Sequence, residues 1–237
     1  MKLLNGAALR TLQFGSMVLA TSALVACGGG GDSPGATVSG TAAVGQPVVN
    51  ASIVLTCKNG ASSVTANASG AYSATFHFDG PCAITASSGA VVLHSFAPGA
   101  GTYNVTPLTE LLLSYLAGQL GTTVSGLLSG ISSNATFQSA LSNSTVIANA
   151  QAAVAQLIKT QYGFTLSSSS FLTVSFTPGQ PPDLDLDYLQ TAGAITASGQ
   201  PASSLTTAVV AAGAAAPISG GGNGGGPTGG TGGTGGT

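Results

Sequence analysis

Charged residues are scarce in this sequence, and their scarcity excludes several classes of function. The 237 residues include four basic and six acidic side chains, for a net charge of −2 at pH 7. A typical soluble domain is about one quarter charged. Beyond residue 26 the basic side chains are Lys58 and Lys159. Because nucleic acids and anionic membrane surfaces are bound through clusters of Lys and Arg, the sequence predicts neither kind of electrostatic partner.

Groups that perform acid–base or nucleophilic chemistry are also few. The sequence contains two histidines, His77 and His94, and three cysteines. Catalysis usually needs a base or nucleophile whose pKa is tuned inside a water-poor cleft. We therefore predict that the protein is not an enzyme and that it uses no cofactor.

The first 26 residues have the layout of a secretory signal peptide. Lys2 and Arg10 precede a mostly apolar stretch that runs to Ala26. This stretch is too short and too interrupted by polar residues to predict a membrane-spanning helix, which needs about 20 apolar residues. At its end, Leu24-Val25-Ala26-Cys27 resembles the lipobox of bacterial lipoproteins. The resemblance implies cleavage before Cys27 and acylation of that cysteine.

The residues after Cys27 suit a tether. Gly28 to Gly31 predict a flexible segment between a folded body and the bilayer. The resemblance implies several acyl chains on Cys27, since one chain alone binds a membrane only marginally. In similar lipoproteins of double-membraned bacteria an aspartate after the cysteine signals inner-membrane retention, and Gly28 stands there instead. The resemblance thus implies an outer-membrane address, periplasmic or surface-facing; an incidental cysteine near an ordinary cleavage site is the alternative.

Composition divides the chain into five segments. We predict a signal peptide over 1–26, a lipidated cysteine and tether over 27–36, a β-sandwich over 37–105, a helical region over 106–218 and a disordered Gly/Thr-rich tail over 219–237. The tail has too few apolar groups to offset the entropy lost on ordering. The predicted fold class is therefore α+β, with a small antiparallel β-sandwich followed by a helical region.

Short β-rich runs separated by turn residues predict the sandwich. The runs are Ala51 to Cys57, Ser63 to Ala66, Ala71 to Phe78, Cys82 to Ala86, Ala90 to Phe96 and Thr102 to Val105. Between the first two runs, Lys58-Asn59-Gly60 indicates a tight hairpin turn, because Asn and Gly tolerate positive φ angles.

One stretch carries a family resemblance. Ala66 to Phe76, ANASGAYSATF, resembles the core motif of carboxypeptidase regulatory-like, transthyretin-like β-sandwiches: a turn glycine, a tyrosine two residues later, then alternating apolar positions. Ser69-Gly70 replaces the usual Asn-Gly. Such domains are generally non-catalytic, so the resemblance implies a structural or binding role. The junction Thr106 to Leu112, TPLTELL, adds a resemblance to bacterial lipoproteins in which such a sandwich precedes a helical region, and it implies architecture but no activity.

Cys57 and Cys82 are the two cysteines besides Cys27. An exported protein meets an oxidising environment, which favours a disulfide between them. Such a bond would close a loop of roughly 26 residues and contribute roughly 3 to 4 kcal/mol of stability in the chain-entropy model. Neither cysteine has the closely spaced Cys or His partners of a zinc motif, so we predict no metal there.

Helical signals begin at Thr106. Thr106 can cap a helix, Pro107 suits its first position, and Glu110 falls in the first turn, where the helix dipole favours an acid. One apolar face follows at helical spacing. A second helix is predicted from Thr145 to Tyr162, ending at Gly163. Weaker helical segments are Thr123 to Leu128, Ala135 to Leu141 and Ser203 to Ala212.

Two short patterns suggest hydrolytic chemistry. Gly31-Asp32-Ser33-Pro34-Gly35 matches G-x-S-x-G, but it lies within the tether without the strand and helix that such an elbow needs. His77 and Asp79 lie two apart on a predicted strand and could form part of a triad with a serine. A strand end with solvated polar groups is the favoured interpretation. His94 is predicted to be a solvent-facing strand residue.

The densest charge is the run Asp183, Asp185 and Asp187. Alternating carboxylates can supply oxygen ligands for calcium, but the glycine and distal glutamate of an EF-hand loop are absent. Pro181 and Pro182 precede the run, and acids are common in the first turn of a helix. We therefore favour a helix start over calcium binding.

The sequence as a whole predicts a lipid-anchored, non-catalytic cell-envelope protein. Its uncharged polar surface suits binding of an envelope protein, a polysaccharide or another cell-wall component. Two alternatives stay open: an envelope hydrolase that uses His77 on a neutral substrate, and a purely structural spacer.

Overall fold

The structure is a computed structural model, and it describes residues 35–177 and 179–218. Cys27, the G-x-S-x-G serine and the predicted tail lie outside the described residues, as do the signal peptide and most of the tether.

Strands come first and helices follow, so the predicted α+β class is confirmed. The strands are β1 (Ala36–Thr41), β2 (Ser52–Thr56), β3 (Ala61–Thr65), β4 (Ala71–Phe76), β5 (Cys82–Ser88), β6 (Val91–Ala97) and β7 (Gly101–Thr102). The helices are α1 (Pro107–Gln119), α2 (Val124–Gly130), α3 (Ala135–Ser142), α4 (Ser144–Tyr162), α5 (Pro181–Thr191) and α6 (Ser203–Ala214).

The strands form two sheets. One has the order β4-β1-β7 and the other β3-β2-β5-β6. All pairings in the larger sheet are antiparallel, but β7 runs parallel to β1. The predicted antiparallel sandwich thus contains one short parallel pairing, where the chain leaving the sandwich runs alongside β1 and the backbone N–H of Tyr103 donates to Ser39 O at 2.7 Å.

Alternating burial orients the larger sheet. Ile53 and Leu55 on β2 are buried, whereas Ser52, Val54 and Thr56 are exposed. This period-two pattern directs one face into the core and leaves the other face outward. The outer face carries hydroxyl and aliphatic side chains, and the candidate site lies at its β6 end.

The motif around Gly70 shapes the turn into β4. The Asn67 side-chain oxygen accepts from the backbone N–H groups of Ser69 and Ala71, at 2.9 and 3.0 Å. Gly70 has φ 73°, a conformation that favours glycine. The buried Tyr72 hydroxyl donates to the Tyr103 carbonyl oxygen at 2.6 Å, which ties β4 to the segment that leaves the sandwich.

The predicted disulfide is confirmed. Cys57 follows β2 and Cys82 begins β5, and their sulfur atoms are bonded. Within the part of the chain that the structure describes, no group of three or more His, Cys, Asp or Glu side chains could hold a metal ion.

Helix α1 is the central element of the helical region. Its residues Pro107 to Gly118 are all buried, because α2, α4, α6 and strand β6 pack around it. The sequence predicted one buried apolar face for this helix, whereas in the structure the helix is buried on all sides. Helices α1 and α6 approach closely at glycines: a Cβ atom at Gly118 would overlap the Val210 carbonyl oxygen, and one at Gly213 would overlap that of Tyr115.

No individual helix among the described residues has the length and hydropathy needed to cross a membrane. Helices α1 and α2 have the required length and hydropathy only when they are taken together, and a bend of 84° separates them.

Candidate functional site

The candidate site is built on the edge strand β6. His94 lies opposite Thr85 of β5 in the antiparallel register. Its neighbours Leu93 and Ser95 are fully buried, so strand alternation directs His94 to the outer face. The side chain of His94 is nevertheless only 30% exposed. The predicted solvent-facing histidine does lie on the outer face, but it is only partly exposed because the first turn of α1 packs beside it.

That first turn contributes a buried carboxylate. Thr109 Oγ1 accepts from the backbone N–H of Thr106 at 3.0 Å, which supports the start of the helix at Pro107. Glu110, only 8% exposed, follows in the same turn. Its Oε1 accepts from the backbone N–H of His94 at 2.5 Å and lies 2.7 Å from His94 Nδ1.

This pairing fixes the chemistry of the imidazole ring. An ionised carboxylate can only accept, so His94 Nδ1 carries the proton that Glu110 binds. In the neutral ring, Nε2 is then a hydrogen-bond acceptor. The hydrogen bond to Glu110 raises the pKa of His94 from its usual value of 6.5, burial opposes that rise, and the charge of Glu110 adds to it.

Three side chains occupy backbone groups on the side of β6 that has no neighbouring strand. Glu110 accepts from His94 N, Thr109 Oγ1 donates to His94 O at 2.8 Å, and Gln200 Nε2 donates to Val92 O at 2.5 Å. Unpaired groups at a sheet edge invite the addition of another strand. These three contacts prevent that addition along Val92 to His94.

A groove of about 570 Å³ opens in front of His94. The sheet supplies Thr85 and His94, helix α1 supplies Glu110, and the loop before α6 supplies Gln200. Helix α2 forms the remaining wall with Val124, Ser125, Leu128 and Ser129. The groove thus combines one ionisable pair with hydroxyl groups, an amide and two aliphatic side chains.

The other histidine has different surroundings. His77 follows β4 and is exposed. The carboxylate of Asp79 accepts a hydrogen bond from the side-chain amide of Asn59, which belongs to the β2–β3 turn. Asp79 is therefore bound to the hairpin turn, as in the favoured interpretation of a polar strand end.

A helix begins at Pro181, as favoured from the sequence, but of the three aspartates only Asp183 lies in its first turn. Asp183 Oδ2 accepts from the backbone N–H of Gly179 at 2.8 Å. Asp185 Oδ2 accepts from the backbone N–H and hydroxyl of Ser167, at 2.8 and 2.7 Å. Asp187 is exposed. Two of the three carboxylates are thus engaged in separate contacts with the protein.

The sequence indicated where Glu110 lies in its helix but not that it contacts His94. The Thr-Pro start of α1 placed Glu110 in a first helical turn, but nothing in the local pattern linked it to His94, 16 residues earlier. That contact depends on how α1 packs against β6. Comparison of the chain with protein-family models, with curated proteins and with solved structures yields no match.

Proposed function

We propose that this protein is a lipid-anchored, non-catalytic component of the bacterial cell envelope that binds a ligand in the groove at His94. The observation that supports binding is the groove itself: a concave site in which a buried carboxylate orients a partly exposed imidazole. Ligand sites are typically concave and combine apolar walls with a few oriented polar groups.

Binding is favoured over catalysis by the hydrogen bonds of the lining. Glu110 Oε1 is engaged by both the backbone and the ring of His94. The Ser129 hydroxyl, on the opposite wall, donates to the carbonyl oxygen of Gly126 at 3.2 Å. A serine nucleophile needs instead a hydrogen bond to its base.

Site-specific photocrosslinking tests the binding proposal. Photoleucine, a photoreactive residue small enough to leave the groove open, replaces Ser129 in the groove or, as a control, the exposed Ser132 just beyond α2. After irradiation of intact envelopes we expect a covalent adduct from position 129 that position 132 does not form. Equal labelling at both positions, or none at either, would favour a purely structural spacer.

The anchor is proposed from the sequence. Leu24 to Cys27 forms the lipobox-like segment, and Gly28 to Gly31 follows as the tether. Intact-mass analysis should show loss of the first 26 residues together with an added acyl mass. Fractionation should find the protein in the outer membrane, and Cys27→Ser should abolish the acyl mass. An unacylated mature chain would contradict the proposal.

A hydrolase is the second candidate function, and its general base would be His94 instead of His77. The carboxylate–imidazole contact is the observation that favours it, because an oriented neutral imidazole can act as a general base. Ser125 and Ser129 lie on the same groove. Turnover of ester or glycoside substrates that is lost in His94→Ala but kept in His77→Ala would establish this function instead.

A further inference from the structure

We infer that the ligand of the groove is an uncharged carbohydrate, whose hydroxyl groups donate hydrogen bonds to His94, Ser129 and Gln200. This inference rests on the proposed binding function and specifies its ligand class.

The groove offers few charged partners to an ionic ligand. Glu110 is the acidic lining residue, and its carboxylate is already bound to His94. Neither Lys58 nor Lys159 belongs to the lining. Carboxylate and phosphate ligands are typically held by Arg or Lys. An anionic ligand would thus find no lysine or arginine to pair with, which favours an uncharged ligand.

Three lining groups are left as hydrogen-bond acceptors by the contacts they already make. Above the raised pKa of His94 the ring is neutral and Glu110 holds its proton on Nδ1, so Nε2 accepts. Gln200 Nε2 donates to Val92 O, which leaves Oε1 to accept. The hydroxyl proton of Ser129 is directed to Gly126 O, so its oxygen can accept. The matching ligand carries several donors, as a sugar does.

The shape and the apolar wall fit the same ligand class. Val124 and Leu128 are four residues apart on α2 and therefore share one side of the helix. Such an aliphatic surface can pack against the C–H face of a sugar ring while the hydroxyls reach the polar wall. A volume of about 570 Å³ falls within the usual range for small-molecule sites, which is about 300 to 1,000 Å³.

A peptide bound as an added strand is disfavoured by the edge of β6. Peptides that extend a sheet rely on free backbone N–H and C=O groups. Here the side chains of Glu110, Thr109 and Gln200 already occupy those groups at Val92 and His94. The groove therefore favours a ligand that binds side chains, which is how carbohydrates are bound.

Titration of the full chain in detergent with size-matched trisaccharides tests the inference. The neutral probes are cellotriose and triacetylchitotriose, and the charged probe is trigalacturonate. We expect at least one neutral probe to shift the ring resonances of His94 with millimolar or tighter affinity, and trigalacturonate to bind at least about tenfold more weakly. Ser125→Trp, which fills the groove, should weaken binding at least about tenfold, whereas Ser132→Trp should not.

The failures of the two proposals are distinguishable. If no neutral probe binds while position 129 still crosslinks in envelopes, the groove binds a ligand of another class, such as a protein, and the carbohydrate inference is overturned. Preference for trigalacturonate would overturn it too. If crosslinking at position 129 is also absent, the binding function itself fails.

Discussion

His77 and His94 both belong to the strand-rich part of the molecule, and each has a carboxylate nearby in the chain. Asp79 is two residues from His77 but is bound by Asn59 of the adjacent turn. Glu110 is 16 residues from His94 yet contacts both its backbone and its ring. The difference shows that proximity in sequence is a poor guide to which carboxylate contacts a histidine, since the partner of His94 depends on the docking of a helix.

The two regions are also held differently. His77 and Asp79 lie inside the loop closed by Cys57 and Cys82. The surroundings of His94 are held by hydrogen bonds from helix α1 and the loop before α6. The two sets of interactions can therefore be removed independently.

The largest expected effect is that of the disulfide. Replacing Cys57 and Cys82 by serine frees a loop whose ends are 25 residues apart, and it should lower the free energy of unfolding by roughly 3.5 kcal/mol. Urea unfolding of the full chain measures the loss. Binding at the groove should persist at concentrations of urea where the variant is still folded. Loss of binding in the folded variant would show that the two regions are coupled.

Removal of the Glu110 side chain should have the next largest effect. Glu110→Ala leaves the partly buried backbone N–H of His94 without its acceptor and should cost about 2 kcal/mol. Glu110→Gln keeps an acceptor oxygen and should cost less. Asp79→Ala is the matched control and should cost about 0.5 kcal/mol or less, because its contact is exposed. Equal losses at the two acids would contradict the comparison.

The Tyr72 hydroxyl provides a test of the contact between the sandwich and the segment leading to α1. Tyr72→Phe leaves the Tyr103 carbonyl oxygen without its donor and should lower the free energy of unfolding by about 1 to 2 kcal/mol. Tyr103→Phe is a control in which the backbone acceptor remains. A loss of stability that is no larger for Tyr72→Phe than for Tyr103→Phe would show that this hydrogen bond does not stabilise the fold.

The smallest expected effect is the pH dependence of stability due to His94. Its pKa is raised in the folded state, so the folded protein binds a proton more tightly than the unfolded chain. The resulting stabilisation is complete below about pH 6.5 and is lost as the pH rises through the folded-state pKa. Unfolding measured from pH 5 to 9 should show this loss in the wild type and not in His94→Gln. A wild-type stability that rises from pH 5 to 9 relative to that of His94→Gln would contradict the prediction.

Much of the fold was predictable because its local signals agree with its packing. Thr106 and Pro107 marked the start of α1, Gly163 the end of α4 in a left-handed conformation, and Lys58 to Gly60 the β2–β3 hairpin. Strand β1 was absent from the predicted runs. Its sequence, ATVSGT, has one large apolar residue, and its pairing with β4 and β7 is what makes it a strand.

The groove was less predictable than the fold. Its walls come from β5, β6, α1, α2 and the loop before α6, so no short pattern contains it. Gln200 illustrates the limit: its contact with Val92 joins residues 108 positions apart. Sequence periodicity placed His94 on the outer face of a strand but could not reveal that this face is partly covered.

We expect ligand binding to involve His94 and not His77, and the ring resonances of these two histidines test this expectation directly. Spectra of the full chain are compared before and after addition of detergent-solubilised envelope material. We expect the His94 signals to shift or broaden, those of His77 to stay in place, and Ser125→Trp to abolish the change at His94. A response at His77 with none at His94 would contradict it.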